Sequence, residues 1–378
     1  MSDNQRRTVI DIRRPFVLFL VCGVVVIFAV FAFRHHSAPA PSPTKIWSLD
    51  LSVDKDFKNR FGVEEVSLDP PAINFLNNSQ IICDFYSGAK IGAGEAHSLT
   101  GYHVLEIDGH TGALGRRLGF NAFENNYRAL PVADGGFVVL ANDELRKFSN
   151  QFVPGSSYST PRAQEGQYFD HWLIDVAPGG NTVLLSSHQS GEKLARWTRL
   201  HTTDLTATES VNAYPTQIIR ASETAGIFDN MGDLQLLSSG KATVLCTRCG
   251  AYFLTNDLLF LDKVKSYSIQ TIAGEKRGSG TLDVEAGALT RAAQATRFAY
   301  VTGHYVGSGF PIQSHFDSIS GRIMVIDWTT NKPLAEIDVS EPARSPSAGF
   351  TQMALALSPD GKSLAVLLHH TLSLYRLN

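Results

Sequence analysis

The most pointed chemistry in the chain belongs to Cys246-Thr-Arg-Cys249, two thiols three positions apart that can ligate zinc, exchange with other thiols or close on each other. Zinc wants a second Cys or His pair, and none stands at ligand spacing. A thioredoxin-like site wants a βαβ setting, whereas Ala242-Thr-Val-Leu-Cys246 and Ala251-Tyr-Phe-Leu254 read as strands. A local disulfide, or two thiols at a strand turn, is the reading left, and no metal site is expected. Of the 12 histidines, His369 and His370 adjoin. Neighbours on a regular strand face opposite sides, so these two are not expected to share an ion. Segment 302–317 is rich in Gly and reads as a long loop between strands that carries His304, Tyr305, His315 and Asp317. Loops on a rigid scaffold concentrate binding residues, which makes these four the candidate binding site; the plain alternative is a solvated insertion.

Stronger signatures are missing from the sequence. There is no Gly-x-Ser-x-Gly elbow, no His-Glu-x-x-His and no Walker loop. Gly274-Glu-Lys-Arg-Gly-Ser-Gly280 lacks the Gly-Lys-Ser/Thr ending and reads as a flexible turn, and Gly92-Ala-Gly94 lacks the third glycine of a dinucleotide fingerprint. No cofactor is expected and catalytic residues are unassigned. A net charge of -3 from 33 basic and 36 acidic residues, without long runs of either sign in the mature part, points to no nucleic-acid surface and no polybasic membrane patch.

The elements that must hold these residues are strands. Charged residues make up only 18% and there are 31 glycines, a balance that favours β-structure with many tight turns. Met353-Ala-Leu-Ala-Leu-Ser-Pro-Asp-Gly-Lys-Ser-Leu-Ala-Val-Leu-Leu368 sets two apolar runs around a turn that Pro presets and Gly closes at positive φ. The layout returns at Trp172-Leu-Ile-Asp-Val-Ala-Pro-Gly-Gly-Asn-Thr-Val-Leu-Leu185, with Pro178 matching Pro359 and Gly180 matching Gly361, and more weakly at residues 131–140 and 75–82. A second turn type, an apolar strand followed by a turn-opening Asp, occurs at Asp108 and Asp327. Two alternating hairpins per repeat make a four-stranded unit of roughly 45 residues, the size of a propeller blade.

Ser358-Pro-Asp-Gly-Lys362 with its following apolar strand resembles the blade signature of bacterial WD40-like and YVTN-type β-propellers, and Ile326-Asp-Trp-Thr-Thr-Asn-Lys-Pro-Leu334 is similar to their second hairpin. The Gly-His and Trp-Asp dipeptides of WD40 proper do not stand at repeat positions. The resemblance implies an all-β propeller of six or seven four-stranded antiparallel blades. Six units are distinct, near residues 72–119, 127–153, 168–211, 226–262, 280–339 and 351–377, and the long fourth and fifth leave room for a seventh. The last unit is one strand short, and Lys45-Ile-Trp-Ser-Leu-Asp-Leu51 alternates correctly to supply it.

Ahead of the repeats, residues 15–33 are 19 uncharged residues, long enough as one helix (roughly 28 Å) to cross a hydrocarbon core of about 30 Å. Arg6, Arg7, Arg13 and Arg14 precede it, and only Arg34 and two histidines follow closely, so the positive-inside rule puts the N-terminus in the cytoplasm. A cleaved signal peptide is the competing reading, opposed by the length of the run and by Pro41 after Ala38-Pro39-Ala40. Arg13-Arg14-Pro15-Phe16 resembles a twin-arginine export signal, with Ile12 where Ser or Thr is expected. Three prolines in residues 37–44 make a stiff spacer. The expected organisation is a cytoplasmic segment 1–14, a transmembrane helix 15–33, a spacer 34–44 and a propeller 45–378. The resemblance to bacterial propellers implies the inner membrane of a bacterium, with the propeller in the periplasm. The expected role is a binding or scaffold module with the membrane and an unidentified protein or small-molecule ligand as partners. The alternative is a propeller enzyme, lactonase-like or quinoprotein-dehydrogenase-like. Asp108-Gly-His-Thr-Gly112 faintly resembles quinoprotein repeats, but the repeated tryptophans of that family are missing, since the chain has four Trp.

Overall fold

Apolar runs bracketed by turn formers pair into antiparallel hairpins, because each strand offers its ladder groups to its sequence neighbour at the lowest loop cost. The computed structural model describes residues 41–61, 71–89, 98–121, 128–141, 144–159, 169–189, 195–214, 218–230, 233–238, 241–247, 249–263, 266–282, 289–307, 316–339, 341–342 and 353–377. The chain divides into two compact units, Met1–Ala40 and Pro41–Asn378. The first, with the predicted span at 15–33, lies outside the described residues. No helix among the described residues is long and apolar enough to cross a membrane.

The second unit is a seven-bladed β-propeller of antiparallel blades. Blade 1 comprises Ala72–Asn77, Gln80–Ala89, Ser98–Asp108 and Leu114–Phe120; blade 2 comprises Arg128–Pro131, Phe137–Ala141, Glu144–Phe148 and Pro154–Ser159. Blade 3 follows with Phe169–Val176, Thr182–Gln189, Ala195–His201 and Ala207–Tyr214, and blade 4 with Ile218–Ala221, Ala225–Asn230, Asp233–Ser238 and Lys241–Thr247. Blade 5 is built from Gly250–Phe253, Leu258–Lys263, Ser266–Thr271 and Lys276–Thr281. Blade 6 has Leu289–Arg291, Arg297–Gly307, Phe316–Asp327 and Lys332–Asp338, with Glu341–Pro342 also pairing on its third strand. Blade 7 has Met353–Leu357, Ser363–Leu368 and Thr371–Arg376, and Thr44–Asp50 adds its outermost strand. Trp47 pairs with Leu374 and Leu49 with Leu372 in that closure, so the strand Thr44–Asp50 ties the beginning of the ring to its end.

Each blade buries both faces against its neighbours, which makes seven interfaces and seven apolar clusters. Ile81, Cys83 and Phe85 meet Ala365, Leu367 and Leu372 between blades 1 and 7, and Leu184 and Trp197 meet Phe228 and Leu237 between blades 3 and 4. Phe260, Tyr267, Phe298 and Tyr300 fill the gap between blades 5 and 6. A fully buried Phe such as Phe260 contributes about 3 kcal/mol. From blade 1 to blade 5, from blade 6 to blade 7 and from blade 7 back to blade 1, the first strands of successive blades pack together and form the inner wall of the ring.

The two turn types recur as their spacing implies. Gly361 N donates to Ser358 O and Ser358 N to Ser363 O (2.8 and 2.9 Å); Gly180 N donates to Ala177 O and Ala177 N to Thr182 O at the same distances. Both glycines hold positive φ, +70° and +74°, where a Cβ is costly. Asp108 Oδ1 accepts from the backbone N–H of His110 and Thr111, and Asp327 Oδ1 from those of Thr329 and Thr330. These are Asx turns, in which a short carboxylate satisfies the turn's own donors.

Four expectations need correction. The units at 226–262 and 280–339 merge parts of three blades, because the outermost strand of blade 5 lacks apolar alternation. Lys276–Thr281 reads Lys-Arg-Gly-Ser-Gly-Thr, and the segment expected to be a flexible turn is that blade's edge strand. Residues 302–317 are not one long loop: Arg297–Gly307 and Phe316–Asp327 extend over both ends of it, pairing Gly303 with Gly321 and Tyr305 with Ile319. His369 and His370 are not strand residues. They form the turn between Leu368 and Thr371, with His369 at φ 55°.

Candidate functional site

Strand register defines one rung that recurs in every blade. It pairs Asn74 with Ile82, Leu130 with Val138, Asp175 with Leu184, Arg220 with Ile227, Tyr252 with Phe260, Thr290 with Ala299, and Ala356 with Ala365. In each pair the second-strand residue belongs to the apolar cluster shared with the following blade, so the first-strand residue beside it leans toward that blade too. The inner strands make no ladder with one another. Side chains on this rung are therefore placed to reach the next blade's backbone, and three do. Asn74 Nδ2 donates to Ala129 O (3.3 Å), Ala221 N donates to Asp175 Oδ2 (2.7 Å), and Leu357 N donates to Thr290 Oγ1 (3.3 Å).

The charge on this ring is confined to one arc. Asp175 from blade 3 lies in the field of Arg220 from blade 4 and Arg291 from blade 6. Blades 3 and 6 are not adjacent in the ring, so the influence reaches past the neighbouring blades. Arg220 Cζ stands 5.1 Å from the centre of the Tyr252 ring, a cation–π contact between blades 4 and 5. Arg220 is exposed, while Asp175, Tyr252 and Arg291 are half-buried. Burial pushes the Asp175 carboxyl up, opposed by Arg220, the Ala221 N–H and Arg291; burial pushes the Arg291 guanidinium down, opposed by Asp175. Arg291 Nε is enclosed and has no hydrogen-bond partner. The arrangement concentrates two guanidinium groups around one carboxylate, the chemistry of anion recognition rather than of proton transfer.

Other polar groups are structural in their settings. Asp84 is buried between blades 1 and 2, where its Oδ2 accepts from Tyr102 OH (2.8 Å) and Ala129 N (3.3 Å); burial pushes its carboxyl up to about 6 against the pull of Arg128. Ser87 Oγ and His103 Nε2 lie 2.8 Å apart, the spacing of a nucleophile and its base. Ser87 is buried, though, and His103 Nδ1 has no partner to orient the ring. The imidazole stacks on Phe85 and burial lowers its pKa, so the pair acts as a lock across two strands of blade 1. Beside it, Arg117 pairs with Asp54 and Asp56 at the start of the short helix Lys55–Phe61, whose Phe57 packs edge-on against Phe85. An open cleft of about 400 Å³ on blade 2 is lined by Asp134, Lys147, Asn150 and Thr203, but Lys147 already pairs with Asp134 at 2.5 Å.

The residues singled out by sequence lie elsewhere. His304 and Tyr305 are in the second strand of blade 6 and Asp317 in its third, while His315 is outside the described residues. Cys246 and Cys249 form a disulfide with Cα atoms 6.1 Å apart, joining the last strand of blade 4 to the first of blade 5. Among the described residues no group of three His, Cys, Asp or Glu side chains could hold a metal ion. Sequence reading missed Asp175, Arg220 and Arg291. They are spread over 117 positions (from 175 to 291, both ends counted), and only a correct blade-by-blade register puts them on one wall.

No family model matches the chain, and no curated protein does. Solved structures do. Raptor from Chaetomium thermophilum superposes with a TM-score of 0.56 at 10% identity over 83% of this chain. The chain spans 28% of the length of that protein. The WD40 domain of Neurospora crassa Pan2 superposes with a TM-score of 0.55 at 10% identity, over 90% of this chain and 97% of the domain. At such identity these likenesses establish a WD40-like propeller fold and nothing about ligands.

Proposed function

We propose that this protein is a membrane-tethered binding or scaffold module, with residues 15–33 as its anchor and the propeller on the non-cytoplasmic side. The binding reading rests on one observation above all: the ring gathers Asp175, Arg220 and Arg291 from separate blades onto one arc of the inner wall. Such a convergence is what a ligand site needs and what blade packing does not. The tether is supported by the uncharged span with arginines on its N-terminal flank. The Cys246–Cys249 disulfide agrees with an oxidising compartment on the far side. A bacterial inner membrane, with the propeller periplasmic, is the setting these features support.

Two measurements test the reading. A reporter active only outside the cytoplasm, fused after Asn378, is expected to be active; an inactive reporter in a stably expressed fusion overturns the orientation. Proximity labelling from the propeller in its native membrane is expected to mark a small, reproducible set of envelope proteins or none beyond background if the ligand is a small molecule. Labelling dominated by cytoplasmic proteins contradicts the placement.

A further inference from the structure

We propose that Cys246–Cys249 is a thiol–disulfide exchange site, opened to an extended dithiol-bearing polypeptide by the outermost strand of blade 4. The exchange goes beyond the binding reading above and does not depend on the ligand of the inner wall.

A disulfide whose role is structural ties together parts of a chain that would otherwise separate, and it contributes least where the loop it closes is shortest. Cys246 and Cys249 are three positions apart, with only Thr247 and Arg248 between them in the sequence. The bond therefore restrains little that the backbone does not already restrain. The junction beside it is held without it: Ile227, Leu234 and Leu236 of blade 4 pack with Ala251, Phe253 and Leu259 of blade 5 in one buried cluster. Two sulfurs spaced for exchange, at a place where a cross-link adds little, have the composition of a redox couple rather than of a staple.

Exposure separates the two sulfurs. Cys246 is buried in the cluster, whereas Cys249 is half-buried and packs against it. Thiolate attack therefore falls on Cys249 Sγ. One thiolate of the partner bonds to that sulfur, the S–S bond breaks, and Cys246 leaves with the electron pair and takes a proton. The partner's second thiolate then attacks its own sulfur in the mixed disulfide and releases Cys249 as a thiolate. The partner ends as a disulfide and Cys246 and Cys249 end as two thiols, two electrons having passed to this protein.

The approach lies on the same strand. Lys241–Thr247 is the last strand of its sheet and pairs, among the described residues, with Asp233–Ser238 alone. Such an edge offers ladder groups to an added strand. Val244, two residues before Cys246, is 56% exposed, against 8% for Cys246. Residues two apart on a regular strand face the same side, but here the register shifts: Gln235 pairs with Val244 and Leu234 with Cys246, which leaves Leu245 as a bulge. The bulge lets Val244 face solvent while Cys246 enters the cluster. Main-chain pairing supplies affinity for an extended polypeptide, and Val244 supplies the apolar contact that sets its register against the sulfurs.

The test uses the full-length chain in detergent, with reduced glutathione and a synthetic extended peptide carrying Cys-x-x-Cys as separate probes. Differential alkylation with peptide mass mapping follows Cys246 and Cys249 and keeps the buried Cys83 out of the count. Both probes are expected to reduce the pair while the protein stays folded, at a rate proportional to probe concentration; a purely structural disulfide opens only as the protein unfolds. Val244→Ser is expected to slow the peptide about ten-fold, the worth of one buried valine, and to leave the glutathione rate unchanged. Cys246→Ser is expected to trap the peptide as a mixed disulfide at Cys249, and Cys249→Ser to trap none. Denaturation midpoints separate lost exchange from lost folding, and the wild-type and Val244→Ser arms carry the test if the cysteine variants do not fold. Any one of three results overturns the proposal: no reduction of the folded protein by either probe, a mixed disulfide that forms at Cys246 in Cys249→Ser, or a peptide rate untouched by Val244→Ser.

Discussion

Blades 3 to 6 and blades 7, 1 and 2 present the same backbone rung to the channel and use it differently. On the first arc the rung carries Asp175, Arg220, Tyr252 and Thr290; on the second it carries Ala356, Asn74 and Leu130. The neutral arc spends its one polar side chain on a stitch, Asn74 to the carbonyl of Ala129. The charged arc makes the equivalent stitch through Asp175 and adds two arginines that the stitch does not require. Every blade pairs its four strands antiparallel and shares an apolar cluster with its neighbour. Chemistry is therefore selected at a position where the backbone leaves neighbouring blades without a shared ladder, and where a side chain is free to take either part.

The sharpest way to break the comparison is Asp175→Ala, which removes the carboxylate between two guanidinium groups and orphans the Ala221 N–H. A loss of about 3 kcal/mol is expected by chemical denaturation, the low end for a broken ion pair because Asp175 is only half-buried. Asp175→Asn keeps an acceptor for Ala221 and is expected to lose less. Equal losses would show that the charge plays no part in stability and would remove the distinction between the arcs.

Asp84 tests whether the neutral side hides a charge effect of its own. Its folded pKa of about 6 lies above the ordinary value, so the folded state holds the proton more tightly than the unfolded chain. The sign follows: the stability tied to this group is fully present below about pH 4 and is lost as pH rises through about 6, by about 3 kcal/mol in all. Asp84→Asn is expected to flatten that part of the profile, measured as the difference between variant and wild-type denaturation at pH 4 and pH 7.5. A pH-independent difference would mean that burial does not keep this carboxyl protonated.

Smaller effects concern the turns that close each rung. An alanine Cβ at Gly180 would meet the Ala133 backbone N at 2.7 Å, whereas at Gly361 the nearest atom is Arg297 Cδ at 2.9 Å. Gly180→Ala is expected to cost about 2–3 kcal/mol and Gly361→Ala about 1–2, because a backbone cannot yield as an arginine side chain can. Thermal denaturation that reversed this order would place the strain in φ alone. Last, Asn74→Ala is expected to cost about 1 kcal/mol, the worth of a single stitch.

Much of the fold was legible in the sequence because its turns announce themselves. The Pro-Gly and Asx turns at Ala177, Ser358, Asp108 and Asp327 and the alternation in Lys45–Leu51 marked strands that the structure contains. The limits were physical too. Blade 5 escaped because an outermost strand buries little, and Lys276–Thr281 needs no apolar pattern to pair with Ser266–Thr271. The Gly-rich stretch after Thr302 looked like a loop because glycines and turn formers interrupt the apolar alternation of residues that pair as strands through backbone hydrogen bonds. Histidines and cysteines attracted notice by type, while Arg220 and Arg291 resembled any other arginine.

What the residues alone determined was local: which segments are strands, which turns reverse them, and that a strand near the N-terminus is available to close a ring. Hairpin propensity and turn geometry act over a few residues, so they can be read from a few residues. Only the tertiary structure decided that there are seven blades and that Asp175, Arg220 and Arg291 share a wall. Those facts depend on the register of seven strand pairs and on how many wedges close a circle, and a shift of one residue in blade 3, 4 or 6 would turn its charged side chain to the other face.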